Sequence, residues 1–349
     1  MTNRLKELID RLAVDHTLTK DEYLEIIENH DEEAAKYLAS KALAEKQRYY
    51  KNEVFIRGLI EVSNICKNDC LYCGIRKSNT LCERYRLDAN EIIECACEGY
   101  KLGFRTFVLQ GGEDAYFTDE RLVYIITSIK KEHPDCAVTL SLGERSFDSY
   151  QTLKKAGADR YLLRHETANK EHYEKLHPKS LSFERRMECL RNLRSLGYQV
   201  GCGFMVGSPY QTTEMLADEL KFIEKFKPDM CGIGPFIPHK DTPFANEKAG
   251  SASLTCLLLS MIRLIHPKVL LPATTALGTV SGDGRERGIM AGANVVMPNL
   301  SPVSVRKKYM LYDNKLSSGA ESAEELDKLK SSLAKIGAIV TESRGDVAK

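Results

Sequence analysis

Residues 89–133 read ANEIIECACEGYKLGFRTFVLQGGEDAYFTDERLVYIITSIKKEH. Ala89–Leu102 carries apolar side chains at helical spacing and stops at Gly103, a residue type that ends helices in the left-handed conformation without a Cβ penalty. Thr106–Leu109 is a short apolar run, bounded by turn formers, of strand rather than helix length. A polar, glycine-bearing segment follows at Gln110–Asp114, and Asp119–His133 returns to the helical period. This is one helix–strand–loop–helix unit. A short strand apolar on both faces and flanked by helices belongs to a parallel sheet.

The unit recurs in both directions. Apolar runs stand at Val54–Ile65, Ala137–Leu142, Tyr161–Leu163, Gln199–Val206, Met230–Ile233, Val269–Leu271 and Asn294–Met297. Helical patterns separate them at Phe147–Ala156, Phe183–Leu196, Thr213–Phe226, Leu254–Ile265 and Arg285–Ala291, with further glycine stops at Gly157, Gly197 and Gly292. Eight strands in unbroken alternation predict an α/β chain folded as a (β/α)8 TIM-type barrel; the rival is an open doubly wound sheet. Upstream, Thr19-Lys-Asp-Glu22 has capping-box spacing and Asp31 to Tyr49 is helical, which predicts an N-terminal helical extension over 1–51. The barrel is expected over 52–320. Residues 321–349 should hold a closing helix at Ser322–Ile336 and a frayed tail at Thr341–Lys349.

Fifty basic and 49 acidic residues leave a net charge of +1, which removes the simplest electrostatic case for a nucleic-acid partner. No apolar run reaches membrane-spanning length, and Met1–Glu22 alternates charges with leucines rather than forming a secretory segment. A cytoplasmic protein with no membrane partner is expected. Eleven cysteines, an odd number, argue against a disulfide framework. Eight of them are scattered through mostly apolar surroundings and read as small buried hydrophobes.

The other three form Cys66-x-x-x-Cys70-x-x-Cys73, on the loop after the first strand. Three thiolates on one loop can hold three corners of a cubane iron–sulfur cluster and leave the fourth iron without a protein ligand. A structural zinc site wants four ligands, for which Cys82 stands near, although Thr80-Leu-Cys82-Glu offers no second knuckle. An open iron is what a radical enzyme using S-adenosylmethionine requires, and Tyr72 matches the aromatic residue such enzymes carry beside the last cysteine.

On these residues the chain resembles the radical S-adenosylmethionine superfamily, and within it the [FeFe]-hydrogenase maturases of the HydE type. The resemblance runs from about Val54 to Tyr312. It is densest at Cys66–Arg86, Gln110–Asp114, Arg164–Asn169, Gly232–Thr242, Leu271–Thr279 and Val295–Asn299. It implies a complete barrel, one 4Fe–4S cluster on Cys66, Cys70 and Cys73, and S-adenosylmethionine as the molecule cleaved to a 5′-deoxyadenosyl radical. Gln110-Gly111-Gly112-Glu113 resembles the loop that receives the methionyl ammonium, although a tight turn would read the same. The resemblance further implies that Glu166 binds the ribose or amino-acid part and that Arg185 binds the carboxylate, with Arg186 as the competing choice. Arg57, Arg164, Thr274, Thr275 and Arg306 can line the barrel and hold an anionic substrate; their plain alternative is pairing with acidic residues. Tyr309 and Tyr312 fall where the family has tyrosines at the cavity. No cysteine follows Cys256, so no second cluster is expected.

The implied function is assembly of the hydrogenase diiron subcluster from an iron-bound, cysteine-containing precursor. The implied partners are a GTPase scaffold, the product of a tyrosine-lyase maturase, and a reductant such as ferredoxin or flavodoxin. The alternatives are 3-methylornithine synthase or another biotin-synthase-like radical enzyme, and, in another class, a non-catalytic zinc or iron–sulfur scaffold.

Overall fold

A computed structural model describes residues 1–317 and 319–348. Ser318 and the last residue of the expected tail, Lys349, lie outside them. The first barrel strand runs through Glu53–Ile56 and Gly58–Ser63. Parallel neighbours follow in chain order: Thr106–Gly111, Ala137–Ser141, Arg160–Leu162, Gln199–Cys202 and Met230–Cys231. Met230 then bridges Leu270, Pro272 bridges Val295, and Val295–Val296 pairs with Phe55 and Ile56. The ring closes with every pairing parallel, so the barrel replaces the open-sheet rival. The seventh stave is only two bridges long, so its apolar run carries little regular strand.

The sequence signals for the helices act through identifiable bonds. Thr118, Ser146, Thr212 and Ser251 each cap a helix with a side-chain oxygen, and Asp88 and Thr19 complete capping boxes with Glu91 and Glu22. The four glycine stops all take positive φ. Helices Asn3–Asp15, Lys20–Asn29 and Glu32–Tyr50 precede the barrel and pack on its flank. Glu32–Tyr50 lies against Ala252–Ile265, and Lys20–Asn29 against Thr213–Phe226. That contact explains why Ala252–Ile265 is buried on nearly all sides and reads as almost wholly apolar.

The C-terminus departs from expectation. The closing helix is shorter, Leu326–Ala334, and a strand the sequence reading did not foresee, Ile339–Thr341, lies beside Glu53–Phe55 just where the tail was expected to begin fraying. Beyond it the chain plugs the amino-terminal mouth of the barrel. The Arg344 carbonyl accepts from Arg160 Nη2 (2.8 Å) and Thr106 Oγ1 (2.7 Å), and Asp346 Oδ1 accepts from Arg160 Nη2 at 2.5 Å. Arg160 is almost fully buried, so these bonds offset the cost of its charge. The partners are some 180 residues or more apart in sequence, beyond the reach of any local pattern.

Candidate active site at the carboxyl rim

Ser63 ends the first strand and starts the cysteine loop. Its hydroxyl donates to Asp114 Oδ2 (2.8 Å) and accepts the Ile65 N–H, while Arg86 clasps Asp114 with two nitrogens. Arg84 donates to four carbonyls, of Asn64, Ile75, Arg76 and Asn79, which shapes the far side of the loop. The loop is tied to other parts of the rim by backbone bonds: Lys67 N–H to the Glu113 carbonyl (3.0 Å), Leu71 N–H to the carbonyl of Leu176 at a helix end (2.9 Å) and Gly74 N–H to that of Leu311 (2.8 Å). A Cβ on Gly112 would stand 2.3 Å from the Ile65 carbonyl oxygen and 2.8 Å from Cys66 Cβ. Glycine there is what lets the two loops touch.

Cys66, Cys70 and Cys73 sit half-buried on this loop, each within electrostatic reach of another. Burial pushes all three thiols up, Cys70 to about 12. The Glu113 N–H points at Cys66 Sγ from 3.4 Å, a donor suited to a thiolate. Cys82 is set apart, its sulfur near Asn64 Nδ2 and its charged neighbours Arg84, Asp241 and Glu83. Among the described residues, no three His, Cys, Asp or Glu side chains converge on one point that could hold a metal ion. A cubane does not need that convergence, because each cysteine binds a different iron. The donor set therefore fits a cluster with three thiolates.

Around the loop, several buried polar atoms lack hydrogen-bond partners among the described residues. Glu113 Oε2 has only the exposed Lys67 ammonium near it, at 3.0 Å, while its Oε1 accepts the Glu144 N–H. Glu166, at φ +66°, leaves Oε2 unpaired 3.2 Å from a misaligned Arg164 Nη2, and Arg164 Nε is also free. Thr274 Oγ1, on the loop after the seventh stave, is likewise without a hydrogen-bond partner among the described residues. Such atoms are costly unless something polar meets them, so the rim is shaped for a ligand bearing both charges. A cleft of about 400 Å³ opens beside Lys67, Glu113, Glu144 and Arg145. Tyr72 is packed behind the cysteines, its hydroxyl 3.2 Å from His177 Nε2; His177 Nδ1 faces the Tyr173 carbonyl, so Nε2 is the acceptor.

The remaining predicted residues divide. Arg185 is half-buried at the surface, tied to Glu188 and the Arg145 carbonyl. Arg186 instead points inward, donating from Nε to Glu144 Oε1 and from Nη1 to the Arg164 carbonyl, both at 2.6 Å. The helical turn decides this: neighbours on a helix point about 100° apart, and only one can face the barrel. Arg57 lies at the other end of the barrel, six residues or roughly 20 Å before Ser63. There it contacts Met230 Sδ (3.0 Å) and the Gly345 carbonyl (3.3 Å). Arg306 is engaged by Ser301, Ser322 and Glu324, and Thr275 by Glu321. Neither side chain is free for a substrate. Tyr309 is buried facing Gln110 and Glu61, and Tyr312 lies near Thr279, Glu61 and Arg164. Sequence reading missed the buried Glu61, which pairs with Lys315 Nζ at 2.6 Å and Asn299 Nδ2 at 2.8 Å. It also missed Glu144 and Arg84; an acidic residue inside an apolar strand, as at Glu61, was the available signal.

Residues 60–223 match the radical SAM superfamily. The [FeFe] hydrogenase maturase subunit HydE of Thermotoga maritima is 48% identical over 78% of this chain and 77% of its own. The chain belongs to the HydE family of radical SAM enzymes. Outside that family, the 3-methylornithine synthase of Methanosarcina acetivorans is 29% identical over 90% of this chain and 89% of its own. A crystal structure of methylornithine synthase superposes with a TM-score of 0.83 at 27% identity, covering 96% of this chain and 97% of that one. One of HydG, another [FeFe]-hydrogenase maturase, reaches 0.82 at 20% identity over 98% and 77%, a likeness of fold. HydE-family membership makes this chain a radical SAM hydrogenase maturase. Among the described residues no helix is long and apolar enough to cross a membrane.

Proposed function

We propose that the carboxyl rim binds one 4Fe–4S cluster on Cys66, Cys70 and Cys73 and presents S-adenosylmethionine to its open iron. The bound cluster supplies one low-potential electron, which cleaves the sulfonium to methionine and a 5′-deoxyadenosyl radical. The protein's task is to orient and enclose. Glu113 and the Gly111-Gly112 carbonyls receive the methionyl ammonium, Glu166 the ribose or amino-acid part, and Arg186, in place of Arg185, the carboxylate. Arg164, Thr274, Gln110, Tyr309 and Tyr312 face the barrel interior, where the substrate is an iron-bound, cysteine-containing precursor of the hydrogenase diiron subcluster. Its maturation partners are a GTPase scaffold and the maturase that makes the precursor; the electron donor is a ferredoxin or flavodoxin. Eleven free cysteines and a cluster of this kind suit a reducing cytoplasm. A single cluster is proposed because no cysteine follows Cys256.

The observation that carries the reading is the set of buried atoms beside the three-thiol loop, Glu113 Oε2, Glu166 Oε2 and Arg164 Nε, that have no hydrogen-bond partner among the described residues, the two carboxylate oxygens meeting only the cations Lys67 and Arg164. Anaerobic reconstitution with iron and sulfide, followed by dithionite and S-adenosylmethionine, should release 5′-deoxyadenosine. Cys70→Ala should lose iron, visible absorbance and cleavage together. Retained cleavage would refute the ligand set. The shape shared with methylornithine synthase favours a carbon-skeleton mutase as the second reading; it predicts stimulation of cleavage by an amino-acid substrate instead of the iron precursor.

A further inference from the structure

Glu219 lies on the inner face of helix Thr213–Phe226 and is wholly buried. Its hydrogen bonds go to the loop that carries Glu166. Oε2 accepts from His165 Nε2 at 2.8 Å, and Oε1 from the Ala168 N–H at 2.5 Å. His165 Nδ1 accepts the Gly203 N–H at 3.3 Å, so the ring proton sits on Nε2 and points at Glu219. Between these two clamps, the Glu166 N–H is bonded to the Gly203 carbonyl at 3.0 Å, and its backbone stands at φ +66°. That is an unfavourable conformation for a residue with a Cβ, held only where surroundings over-determine it. Phe222 and Phe204 flank the imidazole, which leaves it little room to reorient.

An apolar side chain would serve the helix packing at position 219 at less cost than a buried carboxylate. The charge is accounted for by what it holds. We infer that Glu219, acting through His165 and the Ala168 N–H, is a positioning residue for S-adenosylmethionine. It locks residues 165–168 so that Glu166 keeps its left-handed turn and its carboxylate faces the cysteine loop. The inference rests on the proposed role of Glu166 in binding that molecule.

The test uses the anaerobically reconstituted holoenzyme and S-adenosylmethionine itself. Glu219→Ala should keep wild-type iron and sulfide content while raising Kd and KM for S-adenosylmethionine about tenfold, with a smaller change in kcat. Glu219→Gln should fall between, since one amide oxygen can serve only one of the two donors well and the amide cannot accept from both as a carboxylate does. The deciding measurement is the double variant. In a Glu166→Gln background, adding Glu219→Ala should weaken binding no further, because its effect passes through Glu166. An additive loss, or wild-type affinity in Glu219→Ala with the cluster intact, overturns the inference. Should Glu219→Ala fail to fold, the same cycle with Glu219→Gln decides it. Wild-type affinity in Glu166→Gln alone overturns the underlying reading of the site, and the two failures are told apart by which single variant is silent.

Discussion

Replacing Arg186 and its neighbour Arg185 by glutamine separates the buried guanidinium proposed to bind the methionyl carboxylate from a partly exposed charge. Arg186 and its partner Glu144 have side chains 8% and 11% exposed, joined at 2.6 Å. Removing one member of such a pair strands the other and costs about 3–5 kcal/mol of stability. If the guanidinium also meets the methionyl carboxylate, the lost charge-assisted bond is worth about 1.5–3 kcal/mol, or about 10- to 150-fold in affinity. Arg185 is 38% exposed and pairs with Glu188, 52% exposed, a bridge worth less than about 1 kcal/mol. Arg186→Gln should therefore lower the denaturant midpoint and raise Kd for S-adenosylmethionine by at least an order of magnitude. Arg185→Gln should leave both near wild type. Equilibrium binding to holoenzyme of verified iron content, with urea unfolding beside it, reads both quantities. The reasoning fails if Arg185→Gln carries the affinity loss while Arg186→Gln loses only stability.

Gly112→Ala should reduce iron incorporation several-fold, because the new methyl would overlap the Ile65 carbonyl and Cys66 Cβ; a matched Gly282→Ala, facing open space, should load normally. Asp346→Asn should destabilise by about 1–3 kcal/mol in urea, a value discounted because Asp346 is partly exposed, with cluster loading unchanged at the opposite end of the barrel. Arg160 and the other partners of Asp346 hold its carboxyl below the usual range even though burial opposes them. Its stabilising contribution is therefore present above the ordinary aspartate pKa and is lost as pH falls through the lower folded value, a step Asp346→Asn should abolish. Burial also depresses His177 to about 3 and His266 to about 4, so both fold neutral. Stability should then decline below the unfolded histidine value of about 6.5, by up to ~1.4 kcal/mol per pH unit for the buried His177 and less for the partly exposed His266, until the folded values are passed. A flat urea midpoint between pH 6.5 and 4.5 in the cluster-free protein would contradict that.

Local signals determined a great deal of this protein. Strand runs, caps and glycine stops are read by the chain within a few residues of themselves. That is why residues 89–133 disclose their unit and why its repetition discloses the barrel. The three cysteines lie within eight residues, so their shared loop was also legible. Other features belong to the tertiary structure alone. Arg185 and Arg186 are adjacent and alike in charge; only the angle of their helix to the barrel sends one to Glu144 and the other to solvent. Arg57 looked like a cavity residue because depth along a strand cannot be judged until the register and the C-terminal plug are known. The tail looked loose because chain ends commonly fray, and its order comes from a buried arginine far away in the sequence. Nothing in the local sequence singles out Glu219. Its role arises from a pairing with His165 across 54 residues, a contact that exists only once two neighbouring strand–helix units have packed together.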